Sequence, residues 1–198
     1  MQSSILTFFL ALAQWPFITS TAFSEQKTLP YNFSLAALNM TLPNANDTGV
    51  PLVLGYEATI IGAVLYFEST YASSPDGAII PLGLVNGGLR AYSSDGSWCT
   101  NASAITSGNA MGWFGSSWRS SPEVDQFTAL HAIRPARYHK YATLAAHGQD
   151  SLWSLCPTGN NDGKNEVFYN ISSTTAPGSQ IVVPEDCYKV ILRIVPLQ

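Results

Sequence analysis

The sequence predicts an all-β protein: a single-domain antiparallel β-sandwich, with a β-trefoil-like barrel as the alternative architecture. Three observations predict it. Short apolar runs alternate with turns rich in Gly, Asn, Ser and Pro, the punctuation of strands rather than of helices. Asn86-Gly87 sits between two apolar runs, and a tight type I′ hairpin needs the positive φ that Asn and Gly tolerate. Finally, Tyr188, Val190, Leu192 and Ile194 alternate with Lys189, Ile191, Arg193 and Val195, a closing strand. No heptad, fixed-period repeat or interdomain linker interrupts this pattern.

The first residues read differently. Met1-Gln2-Ser3-Ser4 leads into an apolar run from Ile5 to Ala13 broken only by Thr7, and small residues follow at Ser20, Thr21 and Ala22. This is the pattern of a secretory signal peptide over residues 1–22, cleaved after Ala22 or Ser24, with the amino terminus as its only positive charge. A membrane span needs about 20 apolar residues, and Gln14 and Pro16 cut this run short. Residues 23–198 then make one secreted β-rich domain, long enough to bury about 70% of its unfolded surface.

Within that domain Phe33, Leu35 and Ala37 share one face of a strand and Asn32 and Ser34 the other. Asn44 to Gly49 is a polar turn, and Val50 to Gly55 is the next short strand. The apolar run from Ile60 to Phe67 suits one strand buried on both faces. Ser73 to Gly77 is a Pro- and Gly-containing turn. In the hairpin that follows, Ile80, Leu82 and Leu84 meet Leu89 and Ala91, and Pro81 makes its arm an edge strand or a bulged one. Asp95-Gly96 turns the chain into Trp98-Cys99. Asn101 to Ser121 has no clean period and reads as a long irregular loop. Ser121-Pro122-Glu123 resembles a helix start, yet Phe127, Ala129, His131 and Ile133 alternate as a strand does. Both readings stay open. Leu152–Cys156 and Glu166–Ile171 are strands separated by the turn Gly159-Asn160-Asn161-Asp162-Gly163.

The 9 Lys+Arg and 13 Asp+Glu give a formal charge of −4, and charged residues make up only 11% of the chain, well below the ~25% of an average soluble domain. Nothing in this balance points to nucleic acid. Ser, Thr, Asn and Gly supply the solvated surface instead. Five sequons fit such a surface, at Asn32, Asn39, Asn46, Asn101 and Asn170. Behind a signal peptide they predict N-glycosylation. Three cysteines, Cys99, Cys156 and Cys187, allow one disulfide. Cys156–Cys187 is favoured because both lie beside strand-like runs near the C-terminus, leaving Cys99 as a buried thiol or an intermolecular link.

Motifs for chemistry are sparse. His131, His139 and His147 are spaced by eight, roughly 26 Å along one straight strand, so neighbours cannot share an ion and no metal site is expected. No Gly-x-Ser-x-Gly elbow occurs. Glu123 and Asp125 are the nearest acidic pair to the aromatic-rich stretch, and acids at such a position more commonly start a helix. No catalytic residue and no cofactor is expected, and the chain reads as a non-enzyme. Arg134, Arg137, His139 and Lys140 form a small basic patch read as a solvated rim. The aromatic group Trp98, Trp113, Phe114 and Trp118 is the candidate carbohydrate-binding set, since flat rings stack on sugars and exposed apolar patches mark contact sites. The competing reading is that these rings cap the open end of a β-domain core.

The layout resembles the phialide-type (PhiA-like) cell-wall glycoproteins of filamentous fungi. The residues that carry the resemblance are Phe33-Ser34-Leu35, Gly87-Gly88-Leu89, Cys156-Pro157, Val167-Phe168 and Asp186-Cys187, in that order from about residue 31 to 198. Where that family carries a further cysteine pair in its first half, this chain has Cys99 alone. The resemblance implies a noncatalytic secreted protein of the fungal cell wall or extracellular space, free of the membrane after cleavage, and it also supports Cys156–Cys187 as the shared disulfide. The alternative function is a lectin-like module that binds cell-wall polysaccharide through residues 98–118.

Overall fold

The computed structural model describes residues 23–60, 62–93, 99–116, 121–132, 140–158, 164–172 and 182–197. The segment read as a signal peptide, the Asp95-Gly96 and Gly159–Gly163 turns, Trp98, Trp118, Arg134, Arg137 and His139 lie outside the described residues.

The described residues form thirteen strands, in chain order β1 Phe23–Gln26, β2 Phe33–Asn39, β3 Val50–Ile60, β4 Ala63–Thr70, β5 Leu82–Val85, β6 Gly88–Tyr92, β7 Cys99–Asn101, β8 Gly112–Ser116, β9 Phe127–Ala132, β10 Ala142–Ala146, β11 Trp153–Pro157, β12 Asn165–Tyr169 and β13 Tyr188–Pro196. A single 3₁₀ turn, Pro184–Asp186, is the only helical element among the described residues. Every strand pairing among the described residues is antiparallel, so the all-β antiparallel class is as the sequence predicts.

The centre is a closed barrel of six strands, β2-β3-β4-β12-β11-β13, completed by a seven-residue register between β13 and β2. These two strands are shared with a second layer. Beyond β13 the sheet continues through β10, β9 and β1, and beyond β2 through β5, β6 and β7. Each shared strand divides one edge between the layers. Along β13, Tyr188 and Lys189 pair with β11 while Arg193 and Ile194 pair with β10. Along β2, Ala36 and Ala37 pair with β3 while Phe33 pairs with β5. The chain leaving β1 then crosses to the hairpin, where Leu29 N–H donates to Leu84 O (2.9 Å) and Gly87 N–H to Lys27 O (2.7 Å).

One connected core runs through both layers. It includes Phe33, Leu35, Leu84, Leu89, Trp113, Phe127, Leu144, Trp153 and Leu192, all essentially inaccessible to water. Burying a side chain of this size is worth roughly 1.5–3 kcal/mol each. Leu82↔Ala91 and Leu84↔Leu89 face one another as the hairpin parity requires, and Asn86 (φ 50) and Gly87 (φ 78) form its turn. Pro81 stands just outside β5, so it costs no ladder bond.

Two sequence expectations change, and one that stayed open is decided. The apolar run from Ile60 to Phe67 is not one strand: Gly62 (φ 77) turns the chain, and β3 and β4 are its two arms. Asn101 to Ser121 is not a loop throughout, because β7 ends at Asn101 and β8 lies within the segment, paired along β4. At 127–132 strand alternation prevails over the helix start, and Phe127 and Ala129 are buried. β10 has no counterpart in the sequence reading, since Ala-rich Ala142–Ala146 holds a single β-branched residue, Thr143, and no aromatic one. Its small side chains let the barrel approach closely: Trp153 Nε1–H donates to Leu144 O (2.8 Å) and Tyr169 OH to Ala146 O (2.9 Å). Cys156 and Cys187 are joined as a disulfide, with Phe168, Ile171 and Val182 around it.

Candidate functional site: an asparagine-lined cleft and the aromatic strand

Where β2 ends, the chain makes a loop from Met40 to Gly49 that is built by asparagine side chains. Asn39 Oδ1 accepts from Thr41 N (2.8 Å), Thr41 Oγ1 (3.0 Å) and Leu42 N (2.9 Å). Asn44 clamps the Asn39 backbone twice, accepting its N–H (2.8 Å) and donating Nδ2–H to its carbonyl (2.9 Å). Asn46 Oδ1 accepts from Thr48 N and Gly49 N, both at 2.9 Å. Short amide side chains bonding the backbone two or three residues on are the standard way to hold a turn. Gly49 closes the loop at φ 99, with its Cα against the carbonyl of Ala37, where a Cβ would overlap it. Asp47 acts electrostatically on Arg193, whose guanidinium is lowered by burial, and tends to raise it again.

This loop walls a cleft of about 190 Å³ together with Val50, Leu155 and Tyr188. Its rim is apolar as well as polar: Leu42 is 64% exposed and Val50 44%. Tyr188 lines the cleft and packs against the main core, and that burial pushes its phenol up.

The five sequon asparagines divide by what holds their Nδ2 atoms. At Asn32, Asn39 and Asn46, Nδ2 makes no hydrogen bond among the described residues, and Asn32 and Asn46 are exposed. Asn101 Nδ2 donates to Ser121 O (2.8 Å) and Asn170 Nδ2 to Ser107 Oγ (2.8 Å). Asn170 also sits at φ 48, in the left-handed region asparagine tolerates.

The aromatic set does not assemble as expected. Trp113 is fully buried in the core, opposite Tyr66 on β4, and presents no face to a ligand. This corrects its assignment as a sugar-stacking residue. Alternation along β8 sends Phe114 to the opposite side, half-buried and paired with Leu65. Its carbonyl accepts from Thr100 Oγ1 (2.9 Å) and Ser121 Oγ (3.0 Å). Glu123 and Asp125 are counter-ions rather than a free acidic pair: Arg90 bonds Glu123 (2.8 Å) and Lys27 bonds Asp125 (2.7 Å). Burial raises the Glu68 carboxyl to about 8, with one oxygen inaccessible and unpartnered among the described residues. His147 follows β10 with its Nε2 3.1 Å from Ile105 O, and His131 lies in β9. Among the described residues no group of three or more His, Cys, Asp or Glu is placed to hold a metal. Cys99 is exposed rather than buried, and unpaired.

No protein family, characterised protein or solved structure matches this chain.

The cleft goes unrecognised in a strand-and-turn reading of the sequence, although its signal is present there. Four asparagine or aspartate residues between Asn39 and Asp47, closed by a glycine, mark a side-chain-built loop rather than a generic polar turn.

Proposed function

We propose that the chain is a noncatalytic, secreted, N-glycosylated protein of the fungal cell wall or extracellular space. The observation that carries this reading is the Cys156–Cys187 disulfide on a barrel whose sequon asparagines at 32, 39 and 46 keep their amide nitrogens open. Disulfides persist in oxidising compartments, and a glycan needs a sequon nitrogen that the fold leaves accessible. Assignment to the fungal wall rests on the motif resemblance.

Lectin-like binding to wall polysaccharide through residues 98–118 is the weaker reading, since Trp113 is committed to the core. A pull-down of the glycosylated mature protein on chitin, β-glucan and isolated fungal walls separates the two. Retention on whole walls without saturable binding to a purified polymer is expected. Saturable retention on one polymer makes the protein a carbohydrate-binding module instead.

A further inference from the structure

The cleft beside β2 has two sequon asparagines in its own lining, Asn39 and Asn46, and neither uses its Nδ2 atom. We infer that this cleft is the seat of the protein's own glycan: the innermost N-acetylglucosamine on Asn39 lies in it, and the chain on Asn46 leaves from its rim. The inference rests on the glycoprotein reading above and adds to it where the sugar goes.

The chemistry of attachment leaves the loop intact. In N-glycosylation Nδ2 attacks C1 of a lipid-pyrophosphate-linked sugar donor: the Nδ2–C1 bond forms, the C1–O bond breaks, the lipid pyrophosphate leaves, and Nδ2 gives up one proton. The side-chain carbonyl is kept, and every bond that the Asn39 and Asn46 side chains make to the loop is accepted by Oδ1. A glycan therefore adds to this loop without dismantling it. At Asn101 and Asn170 the nitrogen itself is the bonded atom, so a sugar must compete with Ser121 O or Ser107 Oγ.

The surface around Asn39 suits the sugar. A pyranose ring has an apolar face of C–H groups and an edge of hydroxyl and acetamido groups. Leu42, Val50 and Tyr188 supply apolar lining, and the Asn44 amide, which uses its oxygen and one N–H on the Asn39 backbone, has a second N–H to offer the sugar. Asn39 is half-buried at the end of a strand, so a sugar linked there starts within the cleft instead of projecting from a loop tip. Covering Leu42 and Val50 also removes exposed apolar surface that otherwise invites contact with other proteins.

The test uses the full chain secreted from a yeast host. Glycopeptide mapping gives occupancy at each sequon, and timed digestion of the native protein with a peptide:N-glycosidase gives the rate of release at each. Asn39 should be occupied, and its sugar should be released at least about tenfold more slowly than that on Asn32, because release must wait for the sugar to leave its seat. After trimming to one N-acetylglucosamine per site, nuclear Overhauser contacts should join an acetyl methyl to the Tyr188 ring or the Val50 methyls. Thr41→Ala, which removes the sequon but keeps both backbone bonds to Asn39 Oδ1, should abolish those contacts. Release at Asn39 as fast as at Asn32, an empty Asn39 beside an occupied Asn32, or trimmed protein without such contacts overturns this inference alone. A secreted protein bare at all five sequons overturns it together with the glycoprotein reading.

Discussion

Lys27 Nζ lies 2.7 Å from Asp125 Oδ2, and both residues meet the Asn86–Gly87 turn at Gly87. Lys27 O accepts the Gly87 N–H, while Gly87 O accepts from Gln126 N (3.1 Å) and Phe127 N (2.9 Å). The turn is thus the point at which the segment after β1, the β5–β6 hairpin and the entry to β9 are held together.

Gly87 therefore tolerates little. It has φ 78, and a Cβ there would overlap Asp125 Oδ1. Gly87→Ala should lower stability by roughly 1–3 kcal/mol through left-handed strain and displacement of Asp125. Lys27→Met, which removes only an exposed ion pair, should cost under about 1 kcal/mol. Urea unfolding of both variants checks the order, and equal losses would show that the ion pair, not the glycine, organises the junction.

Glu68 predicts the pH response. Burial holds its carboxyl at about 8 in the folded chain against an ordinary 4.5. The folded state binds this proton more tightly than the unfolded one, so the contribution is fully present below about pH 4.5. It is lost progressively as pH rises through about 8, by on the order of a few kcal/mol. Glu68→Gln should flatten that slope and stabilise the protein at pH 8 relative to wild type. Identical slopes in denaturant titrations of the two proteins from pH 4.5 to 8.5 would rule out Glu68 as the source.

Trp113 separates packing from binding. Trp113→Ala removes a fully buried ring and should cost about 3–5 kcal/mol or prevent folding. Trp113→Phe should fold with a lower Tm and unchanged retention on fungal walls. An unchanged Tm with lost retention would return Trp113 to the ligand face.

The disulfide closes a sequence separation of 31 residues. Cys156→Ser with Cys187→Ser should lower stability by about 3–4 kcal/mol on the loop-entropy account. Thermal unfolding of the double variant beside the oxidised wild type measures this, and equal Tm values would show that the link adds nothing to the fold.

The parts of this fold legible in sequence are those governed by local rules. The Asn86–Gly87 hairpin, the alternating β2 and β13, and the strands flanking the disulfide each announce themselves within a few residues. What was illegible depends on partners far along the chain. β10 is a strand because β9 and β13 flank it and because Trp153 and Tyr169 need its carbonyls, neither of which Ala142–Ala146 encodes. Nor does sequence show that β2 and β13 divide their edges between two layers. The aromatic set failed for a related reason: adjacent Trp113 and Phe114 cannot face the same side of β8, and only the packing of β8 on β4 decides which one is buried. The cleft lies between, since its loop is written locally but Leu155 and Tyr188 arrive from the other end of the chain.

The most direct test of the account is expression of residues 1–198 from their own start in a fungal host, followed by cell fractionation, N-terminal sequencing and mass measurement before and after deglycosylation. The account predicts protein in the wall or medium, beginning at Phe23, with Cys156 and Cys187 linked and its mass falling when glycans are removed. Intracellular protein that retains residues 1–22 and carries no glycan would contradict it.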